Sequence, residues 1–188
     1  LYAAKAPLVL ANAFHVHTTL GSENVQKFGG IAEFTGWKGP TLTDSGGYQV
    51  SYMWRSGTHS MEQGKRRHAT DSPIEKITDK GVRVRSLQTG QRYWLTPEYA
   101  MEIQAMIGAD IVMAFDKPTF DTDSLSDATE SLARSHEWTL RSLTHWKQME
   151  TQNDTPAGSV FFPIIQGGRY EKLRQESAKF IVDLDTSG

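Results

Sequence analysis

Leu95–Asp116 reads LTPEYAMEIQAMIGADIVMAFD, and this stretch sets the fold class. Thr96 is placed to cap a helix, with Pro97 at the first helical position, where its missing N–H leaves no bond unmade. A helical run follows through Met106. Asp110–Asp116, DIVMAFD, is then almost continuously apolar instead of alternating. That is the pattern of a strand buried on both faces of a parallel sheet.

The same rhythm recurs on either side. Leu8–Phe14 (LVLANAF), Gly39–Asp44 and Val160–Gln166 (VFFPIIQ) are further strand candidates. Ser22–Phe28 reads as a short helix with Ser22 as its N-cap. Asp127–Glu150 carries Leu132, Trp138, Leu143 and Trp146 as an apolar helical stripe, and Tyr170–Val182 repeats the pattern. Strand and helix in alternation imply βαβ units around a parallel sheet, either a (β/α) barrel or an open doubly wound sheet. Residues 51–95 break the rhythm. They read as a polar insertion after the second strand, holding the basic, turn-rich GKRRHATDSP and a hairpin in VRVRSLQTGQRYWL around Thr89-Gly90.

Composition narrows the function classes. The 188 residues are 38% hydrophobic and 22% charged, enough apolar content for a packed core. A net charge of −2 gives no bulk attraction to nucleic acid, so any such contact must be local. The absence of cysteine excludes disulfides and Cys-based metal sites within this stretch and is compatible with a reducing cytosol. No apolar run approaches transmembrane length. The start at Leu1 and the end in VDLDTSG read as an internal piece of a longer protein.

In a parallel α/β sheet, functional groups gather beyond the carboxyl ends of the strands. Asp44 closes the second strand candidate, Asp116 the third and Gln166 the fourth, while Asn12 and His15 flank the end of the first. After Asp44 come Ser45, Gly46, Gly47 and Tyr48. A carboxylate can accept from an N–H and an amino group on a guanine-like edge, an amide can donate to the base carbonyl, and a tyrosine can stack on the ring. The glycines permit close backbone approach. Taken singly, each group also has a structural reading: Asp116 as a cap or turn former, Gly46-Gly47 as a turn, Tyr48 as a core ring, Asn12 and His15 as satisfied polar groups, Lys65–Arg67 as a solvated loop. Their joint occurrence at successive strand ends favours a site.

At this point four blocks in order resemble the tRNA-guanine transglycosylase (queuine tRNA-ribosyltransferase) family. They are NAFHV at Asn12–Val16, FTGWKGPTLTDSGG at Phe34–Gly47 continuing into YQV, the opening stretch Leu95–Asp116, and FPIIQGGRYEKLRQESA at Phe162–Ala178. The resemblance implies a TIM-type (β/α)8 barrel, of which residues 1–188 cover roughly half, and a zinc subdomain. It implies exchange of guanine at the anticodon wobble position of tRNA for a 7-deazaguanine base, a step of queuosine biosynthesis, by double displacement. By position it makes Asp44 the catalytic proton acceptor. Asp44, Ser45, Gly46, Gly47 and Tyr48 become the substrate-binding loop, Asp116 the reader of the N–H and amino edge, and Gln166 the partner of the base carbonyl. No metal ligand is expected here: the family's nucleophilic aspartate and its zinc ligands lie downstream of the segment matching Gln166. Expected partners are tRNA, guanine, the deazaguanine base and a second copy in a homodimer, in the cytoplasm and away from membranes. Pro118 stands where bacterial members usually carry Cys, and Lys117 where an acid is common. A non-catalytic tRNA-binding paralogue, or a relative that acts on DNA, are the alternatives.

Overall fold

The computed structural model describes residues 5–62, 72–86, 89–184 and 186, with side chains from 57 to 62 left aside. The chain opens with β1 (Val9–Asn12), a helical turn α1 (Ala13–His15) that widens into a π-helical stretch over Val16–Leu20, and short helices α2 (Ser22–Lys27) and α3 (Ile31–Thr35). Next come β2 (Thr41–Asp44) and α4 (Gly47–Glu62), then β3 (Ile74–Thr78), β4 (Gly81–Arg85) and β5 (Arg92–Leu95). The rest is α5 (Pro97–Ile107), β6 (Ile111–Met113), α6 (Leu125–Gln152), β7 (Val160–Phe162) and α7 (Glu171–Val182).

Two sheets result. The four strands β1, β2, β6 and β7 lie side by side in that order and are all parallel. The strands β3, β4 and β5 form a separate antiparallel sheet. The fold is α/β with a parallel sheet flanked by helices. The basic run Lys65–Arg67 lies outside the described residues.

The cap and the packing of the opening stretch follow from its residues. Thr96 accepts a hydrogen bond from the Tyr99 backbone N–H, with Pro97 leading the helix, and Gly108 ends it in the left-handed conformation. Ala100, Met101, Ile103 and Ile107 are buried on one side of α5. The fully buried Gln104 sits among them and bonds across to two strands. Its Oε1 accepts from Thr43 Oγ1 at 3.0 Å and from Met113 N at 2.9 Å, while its Nε2 donates to Met113 O at 2.9 Å. One amide thus fastens α5 to β2 and β6. At the other end of these strands Asp110 Oδ2 accepts from Thr41 N and Oγ1 at 2.7 and 2.9 Å, which holds their stagger. Just beyond β6, Phe115 stacks on Trp138 of α6 with centroids 4.7 Å apart. Both rings are fully buried. Burial of each such side chain contributes about 1.5–3 kcal/mol.

Five expectations need correction. Ser22 is inside α2, not its N-cap; that position belongs to Gly21, and the buried Ser22 hydroxyl pairs with His17 Nδ1 at 3.0 Å. The strand expected over Leu8–Phe14 ends at Asn12, because the Asn12 side chain accepts from His15 N and starts a helical turn. The two later strands are likewise shorter, Ile111–Met113 and Val160–Phe162, with the chain beyond them leaving the ladder toward the site. Residues 51–62 continue α4, so β2 is followed by a helix of its own. Val50 and Ser51 are buried and Met53 and Trp54 pack on the core, a helical spacing hidden among polar neighbours.

Candidate functional site

β2 ends at Asp44, and the turn into α4 is built from Ser45, Gly46 and Gly47. Gly46 has φ +83, and a Cβ there would lie 2.8 Å from Phe14 Cβ. Gly47 has no such backbone demand. A Cβ there would instead overlap the backbone carbonyl and the carboxylate of Asp116. The two glycines therefore let the turn wedge between the end of β1 and the segment after β6. In the fold they allow close approach of one segment to another.

Three of the expected groups meet directly. Ser45 Oγ donates to Asp116 Oδ1 at 3.2 Å, and Gln166 Nε2 donates to Asp116 Oδ2 at 2.6 Å. Gln166 is fixed in turn: its Oε1 accepts from Thr119 N at 3.3 Å, and its backbone N–H donates to Ser177 Oγ at 3.0 Å. Ser177 is fully buried on α7, and His136 Nε2 of α6 lies 3.3 Å from its hydroxyl. Asp116 is only 6% exposed. Burial pushes its carboxyl up to about 7; the Ser45 and Gln166 hydrogen bonds oppose that, and the Asp44 charge adds to it. Burial and the neighbouring Asp44 charge thus both favour the neutral form of Asp116.

Asp44 faces the other way, toward β1. Its Oδ2 accepts from Asn12 Nδ2 at 2.6 Å and its Oδ1 from the Ala13 backbone N–H at 3.0 Å. Burial raises its pKa, against the pull of hydrogen bonds from the Ala13 and Gly46 backbone and the Gln49 side chain, and of nearby His15. Gln49 Oε1 is buried without a partner among the described residues. Tyr48 stands apart from the carboxylates, more than half exposed, with its ring 5.9 Å from Phe120.

Sequence reasoning missed Gln49, Thr119, Phe120 and Ser177. Gln49 carried a signal, since it closes the same DSGGYQ motif. Ser177 carried none: it meets Gln166 only because α7 folds back over the end of β7. Lys117 and Pro118 line a separate cleft of about 300 Å³ between α4, β3 and α6, with Trp54, Ile77 and Ser131. Lys117 Nζ donates to Ser131 Oγ at 2.7 Å, and burial lowers its pKa. Lys117 and Pro118, read from the sequence as departing from the family pattern, both line this cleft.

Among the described residues, no group of three His, Cys, Asp or Glu side chains could hold a metal, and no helix is long and apolar enough to cross a membrane. The family model described as queuine tRNA-ribosyltransferase matches residues 1–188. A protein of that name from Prochlorococcus marinus subsp. pastoris is 35% identical over 189 residues, covering 100% of this chain and 44% of its own length. Proteins of the same name from Cyanothece sp. and Shewanella baltica are each 36% identical, over 97% and 99% of the chain and 42% and 43% of their own lengths. The chain therefore spans less than half the length of these relatives. With the family model matched over residues 1–188 and the DSGG turn built against Asp116, which Gln166 also holds, the chain belongs to the queuine tRNA-ribosyltransferase family.

Proposed function

We propose that this chain carries the base-recognition part of a tRNA-guanine transglycosylase, which exchanges guanine at the anticodon wobble position for a 7-deazaguanine base. The observation that carries this reading is the buried Asp116 carboxylate held between Ser45 and Gln166. A guanine edge offers two adjacent donors and a carbonyl acceptor. Asp116 accepts from the N–H and the amino group, and the Gln166 amide, now spent on Asp116 at 2.6 Å, turns to donate to the carbonyl oxygen. The recognition groups thus satisfy one another, which avoids leaving a buried donor or acceptor unpaired. Tyr48 supplies the stacking face.

Asp44 is assigned proton transfer. Its raised pKa suits a carboxylate that takes a proton from the incoming base as that base displaces the enzyme from the ribose C1′. The attacking carboxylate of the first displacement is assigned to no residue of this chain. The zinc implied by the family has no ligand set among the described residues.

The strand order supports a barrel over a doubly wound sheet. β1, β2, β6 and β7 add in one direction without the reversal that defines a doubly wound switch point. We read them as consecutive staves of a (β/α)8 barrel, with β3–β5 inserted between two of its units.

The test uses the complete gene product and labelled guanine. Wild type should incorporate it into tRNA and not into DNA, whereas Asp44→Asn and Asp116→Ala should incorporate none. Full incorporation by both variants overturns the site assignment, and transfer to DNA in place of tRNA overturns the acceptor.

A further inference from the structure

Tyr48, Tyr52 and Arg55 recur at i, i+4 and i+7 along the first turns of α4, so they form one stripe on the helix that begins at the base pocket. Tyr48 and Tyr52 are 55% and 57% exposed. Their rings are nearly parallel, 13° apart in plane with centroids separated by 6.1 Å. Phe120, from the segment after β6, leans against Tyr48 at 45° and carries the Arg55 guanidinium 4.5 Å above its ring. Arg55 is itself held by the Asp123 carboxylate and by Thr122 Oγ1 at 2.9 Å. The aromatic group is thus braced from below and open above.

One exposed ring beside a base pocket is accounted for by the exchanged base. Two parallel rings and a fixed guanidinium on one face are not. Successive aromatic faces with an arginine among them are what single-stranded nucleic acid stacks upon, and such stacking tolerates any base because every base has a π-face.

We propose that Tyr52 extends the Tyr48 platform into a second stacking surface, which takes the base of a nucleotide adjacent to the exchanged one in a single-stranded RNA loop. This rests on the reading of the pocket given above and names how the loop is held there. Tyr48 serves the exchanged base. Tyr52 serves its neighbour, and Phe120 with Arg55 keeps the Tyr48 ring from collapsing onto the pocket.

The experiment uses the complete gene product and a stem-loop RNA carrying a fluorescent adenine analogue at each position next to the exchanged guanine in turn. Stacking on an aromatic ring quenches that analogue. Wild type and Tyr52→Phe should quench it at one neighbouring position on binding, and Tyr52→Ala should not. In guanine exchange, Tyr52→Ala should raise KM for the RNA roughly tenfold. KM for free guanine should stay unchanged. Equal quenching by all three proteins, or an unchanged KM for RNA in Tyr52→Ala, overturns the proposal. The quench is read from binding, so it decides the platform even if no exchange is seen. Loss of exchange in the wild type bears only on the proposed function.

Discussion

Asp116→Asn replaces the buried carboxyl by a group of the same shape that cannot ionise. In the folded chain the Asp116 carboxyl holds its proton up to pH about 7, against 3.8 as the ordinary value. The unfolded chain releases it near that lower value. Between the two, the folded state binds more protons, so stability is greatest below the unfolded pKa and falls as pH rises through about 7. The difference is about three pKa units, and at about 1.36 kcal/mol per unit the burial costs about 4 kcal/mol once the group is fully ionised. The Asn variant escapes that cost and still accepts from Ser45 or Gln166. We expect it to be more stable than wild type above neutral pH by as much as about 4 kcal/mol, with the gap closing toward about pH 4. Urea midpoints of both proteins at several pH values read this directly. Asp44, whose charge helps raise the Asp116 pKa, is coupled to it, so the same comparison in an Asp44→Asn background isolates Asp116. The same variant should lose base binding, because two donors on the base then face an amide that offers only one acceptor. Parallel stability curves for the two proteins across this pH range would refute the argument, since Asp116 would then ionise as it does in water.

Two packing predictions follow from the same region. Gly47→Ala drives a methyl into the Asp116 carbonyl and carboxylate, and backbone cannot yield cheaply there. It should cost about 1–3 kcal/mol in the urea midpoint and abolish guanine binding, and an unchanged affinity would contradict the close approach. Gln104→Leu keeps the volume but takes the amide partner from buried Thr43 Oγ1 and from the N–H and C=O of Met113. We expect a loss of about 2–4 kcal/mol and faster amide exchange at Met113, and a midpoint equal to wild type would count against the amide as a fastener.

Helices were more legible than strands. Thr96-Pro97 announced α5 to the residue, because capping is local chemistry that a few neighbours decide. Residues 51–62 hid their helix, because the buried face of α4 is Val50, Met53 and Trp54 set among serine, arginine and glycine, and only packing against the sheet shows which face counts. Strand ends were overrun for a related reason: an apolar run such as DIVMAFD does not say where the ladder stops and the chain turns toward a site.

The site divides the same way. The residue types and their places at successive strand ends were open to reading: an acid, a hydroxyl and two glycines after β2, an acid after β6, an amide after β7. These follow from local sequence, and the four motif blocks in order carried the family. Contact between Asp116 and Gln166, which are 50 residues apart, could not be read from local sequence. Nor could the turning of Asp44 toward Asn12, the hold of Ser177 on Gln166, or the parallel rings of Tyr48 and Tyr52. The first and third depend on how α6 and α7 close over neighbouring strands, the second on the pairing of β1 with β2, and the last on the rotamers that packing leaves open on α4. The near-neutral Asp116 pKa depends on packing too, because desolvation is a property of everything packed around the carboxyl and of no single stretch of chain. The sequence by itself determined which groups were available and on which strands. Tertiary structure decided which of them share a proton, a hydrogen bond or a stacking face, because those terms act over a few ångströms and only packing brings the groups that close.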